Sequence, residues 1–340
     1  MNPTTYTPTS DASPPFPWLV ADIGGSNARF AWVTHLDAIS HVRTLSVNEY
    51  ASPIEASEQY LRDLSTELGA GYQAPRCAAF AVATAVNEEQ IRFTNSHWNF
   101  TKSSVKAALG LERFLVINDF EALALSLPKL QANQLRSDGA PPLKQGTLAV
   151  IGPGTGLGVG SVIQTAHGWV ALPGEGGHTT LAATDEFESA ILSQVRKEYS
   201  HISAERFLSG IGIPVLYRAI AQTLKVDPNN YNTETIVEKA LTGLDPVCVK
   251  TLDVFCALLG SFAGNVALIV GARSGVYIGG GIVPRLGDFF FNSRFREKFN
   301  AKGRLSSYLS SIPVALITDT LAALSGAALA IEQSHVEQAK

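Results

Sequence analysis

Sulfur and net charge are both scarce in this chain of 340 residues. The cysteines Cys77, Cys248 and Cys256 are odd in number, widely spaced and without a CxxC pair. Such a set builds neither a disulfide framework nor a structural zinc site, and it suits a reducing, cytoplasmic setting. Lys and Arg number 26 against 30 Asp and Glu, a net charge of −4 that leaves no basic footprint for nucleic acid. Residues 1–17 lack the basic and apolar regions of a secretory signal. Rich in Pro, Ser and Thr, they read as a disordered tail. Long uncharged stretches are rare too. One, residues 254–272, approaches membrane-spanning length, but it holds Gly260, Ser261, Gly264 and Asn265 and stands alone. It reads as a helix buried in a core, with no membrane contact implied. No Gly-Lys dipeptide occurs, so the P-loop is absent.

What remains is an ordinary folded chain, 46% apolar and 16% charged, long enough for two domains. It is organised around residues 19–33, an apolar strand, a tight Gly24-Gly25 turn and an apolar strand running back. Glycine there permits positive φ and close approach to a ligand. The turn N–H groups and the Ser26 hydroxyl make a concavity suited to phosphate oxygens. Asp22 ends a buried strand, where an unpaired carboxylate is costly. A nucleotide-borne Mg²⁺ accounts for it, and so does a plain hairpin whose Asp accepts turn N–H bonds.

Residues 41–47 supply a third antiparallel strand. A helix follows with Ser52 as N-cap, Pro53 at N1 and Glu55 at N3. Tyr60, Leu61, Leu64 and Leu68 share one face, and Gly69 stops it. Residues 77–82 form a covered strand. A hairpin-like insertion (90–98), a helix from about Ser103 and a strand at 114–117 lead to Asn118-Asp119 and a short helix. Residues 131–146 read as a domain crossing, placing the domains at 18–130 plus about 318–340, and at 131–317. Beyond the crossing the opening pattern returns: a strand (147–151), a glycine turn (152–158), a returning strand (159–163) and a third (169–172). Thr184 is expected to cap a helix through Glu198, and Ser203 the next. Asp245-Pro246 opens the long buried helix ending near Gly271. A strand at 275–278 enters a third glycine turn, Gly279-Gly280-Gly281, and a last helix spans about 319–332.

Glycine turns at strand ends suggest a nucleotide, but the run 152–160 fails the G-x-G-x-x-G spacing, because the third glycine falls on Leu157 or Val159. Paired antiparallel hairpins with phosphate turns resemble the actin-like ATPase superfamily. Six motifs sharpen this: Asp22-Ile-Gly-Gly-Ser-Asn-Ala-Arg29, Ile117-Asn-Asp-Phe120, Gly154-Thr-Gly-Leu-Gly158, Leu172-Pro-Gly-Glu-Gly-Gly-His178, Ser203-Ala-Glu-Arg206 and Gly279-Gly-Gly-Ile-Val-Pro-Arg285. In order and spacing they resemble the bacterial glucokinase family, from about Trp18 to the last helix. The first loop carries Ser26 where the family usually has threonine, and the hydroxyl is kept. The zinc-binding cysteine cluster of the repressor-kinase (ROK) branch is absent.

The resemblance implies an α/β actin-like ATPase (ribonuclease H-like) fold, two β-β-β-α-β-α domains facing a cleft. It implies ATP-dependent phosphorylation of glucose in the cytoplasm by a homodimer. Asp119 matches the family's catalytic base, although as an isolated residue it reads more readily as a helix cap. Asn118, Asp119, Glu175, His178 and Glu205 match the sugar-binding set, whose carboxylates, amide and imidazole complement a ring of hydroxyls. Glu205 also suits dipole compensation behind the Ser203 cap. The phosphates fall to Gly24, Gly25, Ser26, Asn27, Gly154, Thr155 and Gly156. The adenosine falls to Gly279, Gly280 and Gly281. Asp22 reaches Mg²⁺ through water. Other hexoses or phosphoryl donors are a second enzyme reading. A non-catalytic sugar sensor on the same fold is a reading of another class, and it predicts a helix-turn-helix before Trp18 or loss of Asp119.

Overall fold

A computed structural model describes residues 15–338 apart from 37, 87–88, 94–95, 138 and 167, with side chains to 334. Most of the expected tail therefore lies outside the described residues. The chain divides into two compact units: the described residues up to Ser126 with those from Leu321 onward, and Leu127–Thr320.

The first unit is built on β1 (Trp18–Ile23), β2 (Asn27–His35), β3 (Ala38–Ser46), β4 (Cys77–Val82) and, after a small two-stranded ribbon of β5 (Gln90–Arg92) and β6 (Asn99–Thr101), β7 (Arg113–Asn118). The sheet order is β3-β2-β1-β4-β7. β1 to β3 are antiparallel, whereas β4 and β7 run parallel to β1. Strand period two explains the unbroken apolar run of β1. Leu19, Ala21 and Ile23 pack with Phe30, Tyr60 and Leu64 beneath α1 (Pro53–Leu68). Trp18 and Val20 pack on the other face with Leu324, Ala327 and Ile331 of the C-terminal helix Ala322–Gln338. The Ser52 hydroxyl caps α1 by accepting the Glu55 N–H, and Gly69 follows its last residue. α2 (Lys102–Ala108) precedes β7, and α3 (Asp119–Ser126) grows straight out of its end.

The second unit repeats the scheme. Its sheet contains β8 (Leu135–Ser137), β9 (Thr147–Pro153), β10 (Leu157–Thr165), β11 (Gly168–Leu172), β12 (Gly275–Ile278) and β13 (Val314–Ile317), ordered β11-β10-β9-β12-β13-β8. β9, β10 and β11 are antiparallel, and β12 and β13 run parallel to β9, as β4 and β7 do to β1. β8 adds an antiparallel edge inside the expected crossing.

Helices α4 (Glu186–Val195), α5 (Ile213–Thr223), α6 (Thr233–Leu241) and α7 (Pro246–Val270) cover this sheet's core. α7 is the one described helix long and apolar enough to cross a membrane. Most of its apolar side chains instead lie in the unit's own core, with Leu252, Phe255, Leu259 and Ala263 fully enclosed. Asp245 Oδ1 caps it by accepting from Val247 and Cys248 at 2.8 and 3.2 Å. Two expectations shift. Asp185, not Thr184, caps α4, which ends at Val195. Ser203 caps a single 3₁₀ turn, Ala204–Arg206, and the next helix starts only at Ile213.

Candidate active site

The β1–β2 turn closes through the Gly24 N–H donating to Asn27 O at 2.9 Å. Neither Gly24 nor Gly25 takes positive φ, so the expected left-handed backbone is not what glycine supplies there. Ser26 and Asn27 are exposed, and no described residue hydrogen-bonds their side chains, which leaves both polar groups available to a ligand. Asp22 is not the unpaired carboxylate its position suggested. Burial pushes its carboxyl above the usual range, and Arg29, with Nη1 at 3.6 Å, opposes that push.

Asn118 and Asp119 end β7 and begin α3. The cap of α3 is provided by Asn118, whose Oδ1 accepts from Phe120 at 2.9 Å and Glu121 at 3.3 Å. Its Nδ2 donates to Thr84 O at 3.2 Å. Asp119 Oδ1 accepts the Phe120 N–H at 3.0 Å, so the first helical turn fixes its orientation. Two residues on, burial raises the Glu121 carboxyl above its ordinary range.

In the second unit the other two glycine turns come together. Gly154 N donates to Gly156 O at 2.8 Å, Gly210 N to Gly154 O at 2.7 Å, and Thr155 is left exposed. Gly279 N donates to Ile151 O at 2.8 Å and Ile282 N to Pro153 O at 3.2 Å, so the third turn lies along the end of β9. There Gly280 takes φ 76°, and a Cβ on it would meet Pro153 O at 2.3 Å; no other residue fits.

Beside these turns are the remaining polar candidates. Glu175 is exposed and precedes the 3₁₀ turn Gly176–His178. His178 Nδ1 lies 4.0 Å from Glu205 Oε1, and Glu205 Oε2 accepts the Leu157 N–H at 2.8 Å. The dipole reading of Glu205 loses its basis, because the turn it sits in is three residues long. His178 and Glu205 open on a cavity of about 340 Å³ that Tyr199, His201, Ser203 and Arg206 also line. Arg206 stacks on the Tyr199 ring at 4.1 Å. Sequence reading missed the part of Leu157, whose only signal was its place after the glycine turn. Arg206 was visible in the Ser203-Ala-Glu-Arg206 motif, but nothing there marked it as lining a cavity.

A family model described as Glucokinase matches residues 19–334. Glucokinase from Chromobacterium violaceum is 46% identical over 314 residues, 92% of this chain and 88% of that protein. The chain belongs to the glucokinase family. The family's reaction is ATP-dependent phosphorylation of glucose. A crystal structure of glucokinase from an Antarctic psychrotroph superposes with a TM-score of 0.84 at 38% identity, covering 93% of this chain and 98% of that one. A ROK-family glucokinase from Streptomyces griseus, solved with glucose and AMPPNP, aligns at TM-score 0.59 and 19% identity over 93% of this chain and 99% of that one. This second likeness speaks to fold, and the fold is that of the actin-like ATPases.

Proposed function

We propose that this glucokinase-family chain transfers the γ-phosphoryl group of ATP to the 6-hydroxyl of glucose, with Asp119 as base. The observation that carries the reading is the second unit's convergence. Two glycine turns, Glu205 and the His178 loop gather where β9 ends and β10 begins. Phosphoryl transfer asks a protein mainly for positioning and charge stabilisation. Asp119 takes the proton of the attacking sugar hydroxyl onto its carboxylate while the hydroxyl oxygen bonds to the γ-phosphorus and the bond to ADP breaks. Asn118, Glu175, His178 and Glu205 orient the sugar through its hydroxyls. Gly24, Gly25, Ser26, Asn27, Gly154, Thr155 and Gly156 take the phosphates, and Gly279, Gly280 and Gly281 the adenosine.

Asp22 suits Mg²⁺ held through water. It stands near the end of β1 beside a polar turn, and no group of three or more His, Cys, Asp or Glu among the described residues forms a metal cage. When bound with the nucleotide, Mg²⁺ neutralises phosphate charge. Three scattered, buried cysteines support placing the chain outside the ROK branch and in a reducing, cytoplasmic compartment. Family resemblance supports a homodimer, which light scattering checks. An ADP-release assay crossing a hexose panel with several phosphoryl donors tests the substrate assignment. Glucose with ATP should give the highest kcat/KM, and a clear preference for another pair overturns it.

A further inference from the structure

Leu157 opens β10 directly after the Gly154-Thr155-Gly156 turn, and sugar-side elements grip it from two directions. Its partner across the hairpin is Pro153, whose carbonyl accepts from Ile282 at 3.2 Å. The Leu157 N–H goes instead to Glu205 Oε2 at 2.8 Å. A Cβ on Gly177 would lie 2.0 Å from Leu157 O, so the turn carrying His178 packs directly on that carbonyl. A Cβ on Gly156 would lie 2.4 Å from Glu205 Oε2, so the phosphate turn itself abuts the carboxylate. The other carboxylate oxygen, Oε1, faces His178.

The geometry points to Glu205 as a positioning residue for the nucleotide: the carboxylate assigned to the sugar also fixes the exit of the phosphate turn. This rests on the phosphoryl-transfer reading proposed above. A carboxylate accepting a backbone N–H makes a charge-assisted bond, stronger than a neutral one. Losing that acceptor leaves the Leu157 N–H without its charge-assisted partner, and only solvent from the cavity can replace it. A turn of two glycines and a threonine has little conformational preference of its own. Without Glu205 its exit at Leu157 loses that tether, and the nucleotide must order it at a cost in affinity. Sugar binding and nucleotide binding thereby share one side chain within a single unit.

The test is calorimetric titration of AMPPNP with Mg²⁺ into sugar-free protein, comparing wild type with Glu205→Ala, Glu205→Gln and Glu175→Ala. Glu205→Ala should bind about tenfold more weakly, about 1.4 kcal/mol. Glu205→Gln, whose amide oxygen still accepts the N–H, should stay within about twofold of wild type, as should Glu175→Ala. Hydrogen exchange at the Leu157 amide should accelerate in Glu205→Ala alone. If that variant does not fold, Gly156→Ala carries the test in reverse. Its methyl displaces Glu205, so glucose should bind more weakly with no nucleotide present. Wild-type nucleotide affinity in Glu205→Ala, or wild-type glucose affinity in Gly156→Ala, overturns the inference while wild-type glucose phosphorylation leaves the kinase reading standing. A wild type that binds no nucleotide overturns both.

Discussion

His178 Nδ1 stands 4.0 Å from Glu205 Oε1, the imidazole 61% exposed and the carboxylate 26%. An exposed ring beside a mostly covered acid, at the mouth of a cavity, is poised to share a hydroxyl with it. His178→Ala and Glu175→Gln should each lower kcat/KM for glucose about 5- to 150-fold, the equivalent of about 1–3 kcal/mol for a hydroxyl left mismatched. KM for ATP should move far less. Steady-state kinetics in both substrates check this, and equal losses for the two substrates would reassign both residues to structure.

Lys298 is a buried cation, 7% exposed, with Nζ 2.6 Å from Thr184 Oγ1, 2.8 Å from Asp185 and 3.2 Å from Glu188. Glu188 is only 3% exposed, so Lys298→Met strands a buried charge. The expected loss is about 3–5 kcal/mol, measured by urea denaturation. A loss below 1 kcal/mol would mean that Glu188 is relieved by water or by protonation.

The same cluster fixes a pH dependence. Burial pushes the Asp185 carboxyl upward, but the Glu188 N–H and the Lys298 ammonium outweigh it and hold it below the usual range. A depressed carboxyl adds stability that is fully present above the unfolded value, near 4, and lost as pH falls through the folded one. Asp185→Asn should therefore be less stable at pH 7 and lose less than wild type on going to about pH 2.5. Urea midpoints across that range check it, and parallel curves would remove Asp185 from acid unfolding.

Burial pushes the Cys248 and Cys256 thiols up to about 12, and all three cysteines are buried and unpaired. Reactivity follows the thiolate. Native protein at pH 8 should resist iodoacetamide, whereas denatured protein takes three labels. Mass spectrometry that finds rapid labelling of the native state would expose a thiol this fold encloses.

Much of the fold was legible because its hairpins announce themselves. Apolar runs interrupted by Gly24-Gly25 and by the 152–158 turn fix β1–β2 and β9–β10, and Ser52, Asp245 and Gly271 mark helix ends that the structure keeps. Short strands were not legible. β13 is four apolar residues, too few to show a period, and β8 is a three-residue edge strand. Thr184 and Asp185 are both cap residues; the Glu188 N–H goes to Asp185, while the Thr184 hydroxyl is taken up donating to the Glu188 carboxylate. Asp119 and Asn118 compete for one helix start in the same way, and hydrogen bonding to Phe120 and Glu121 gives the cap to Asn118. Candidate sugar residues were found through motifs. The bond from Leu157 to Glu205 spans 48 positions, and no motif encodes it.

The central claim is phosphoryl transfer to glucose with Asp119 as base, and phosphorus NMR of the reaction tests it most directly. Wild type and Asp119→Ala are incubated with glucose, ATP and Mg²⁺, with glucose binding of each measured by calorimetry. Wild type should convert ATP to ADP with one glucose 6-phosphate per turnover. The variant should turn over about 10² to 10⁴ times more slowly while still binding glucose. No sugar phosphate from wild type, or a variant within a few-fold of wild type, would contradict the account.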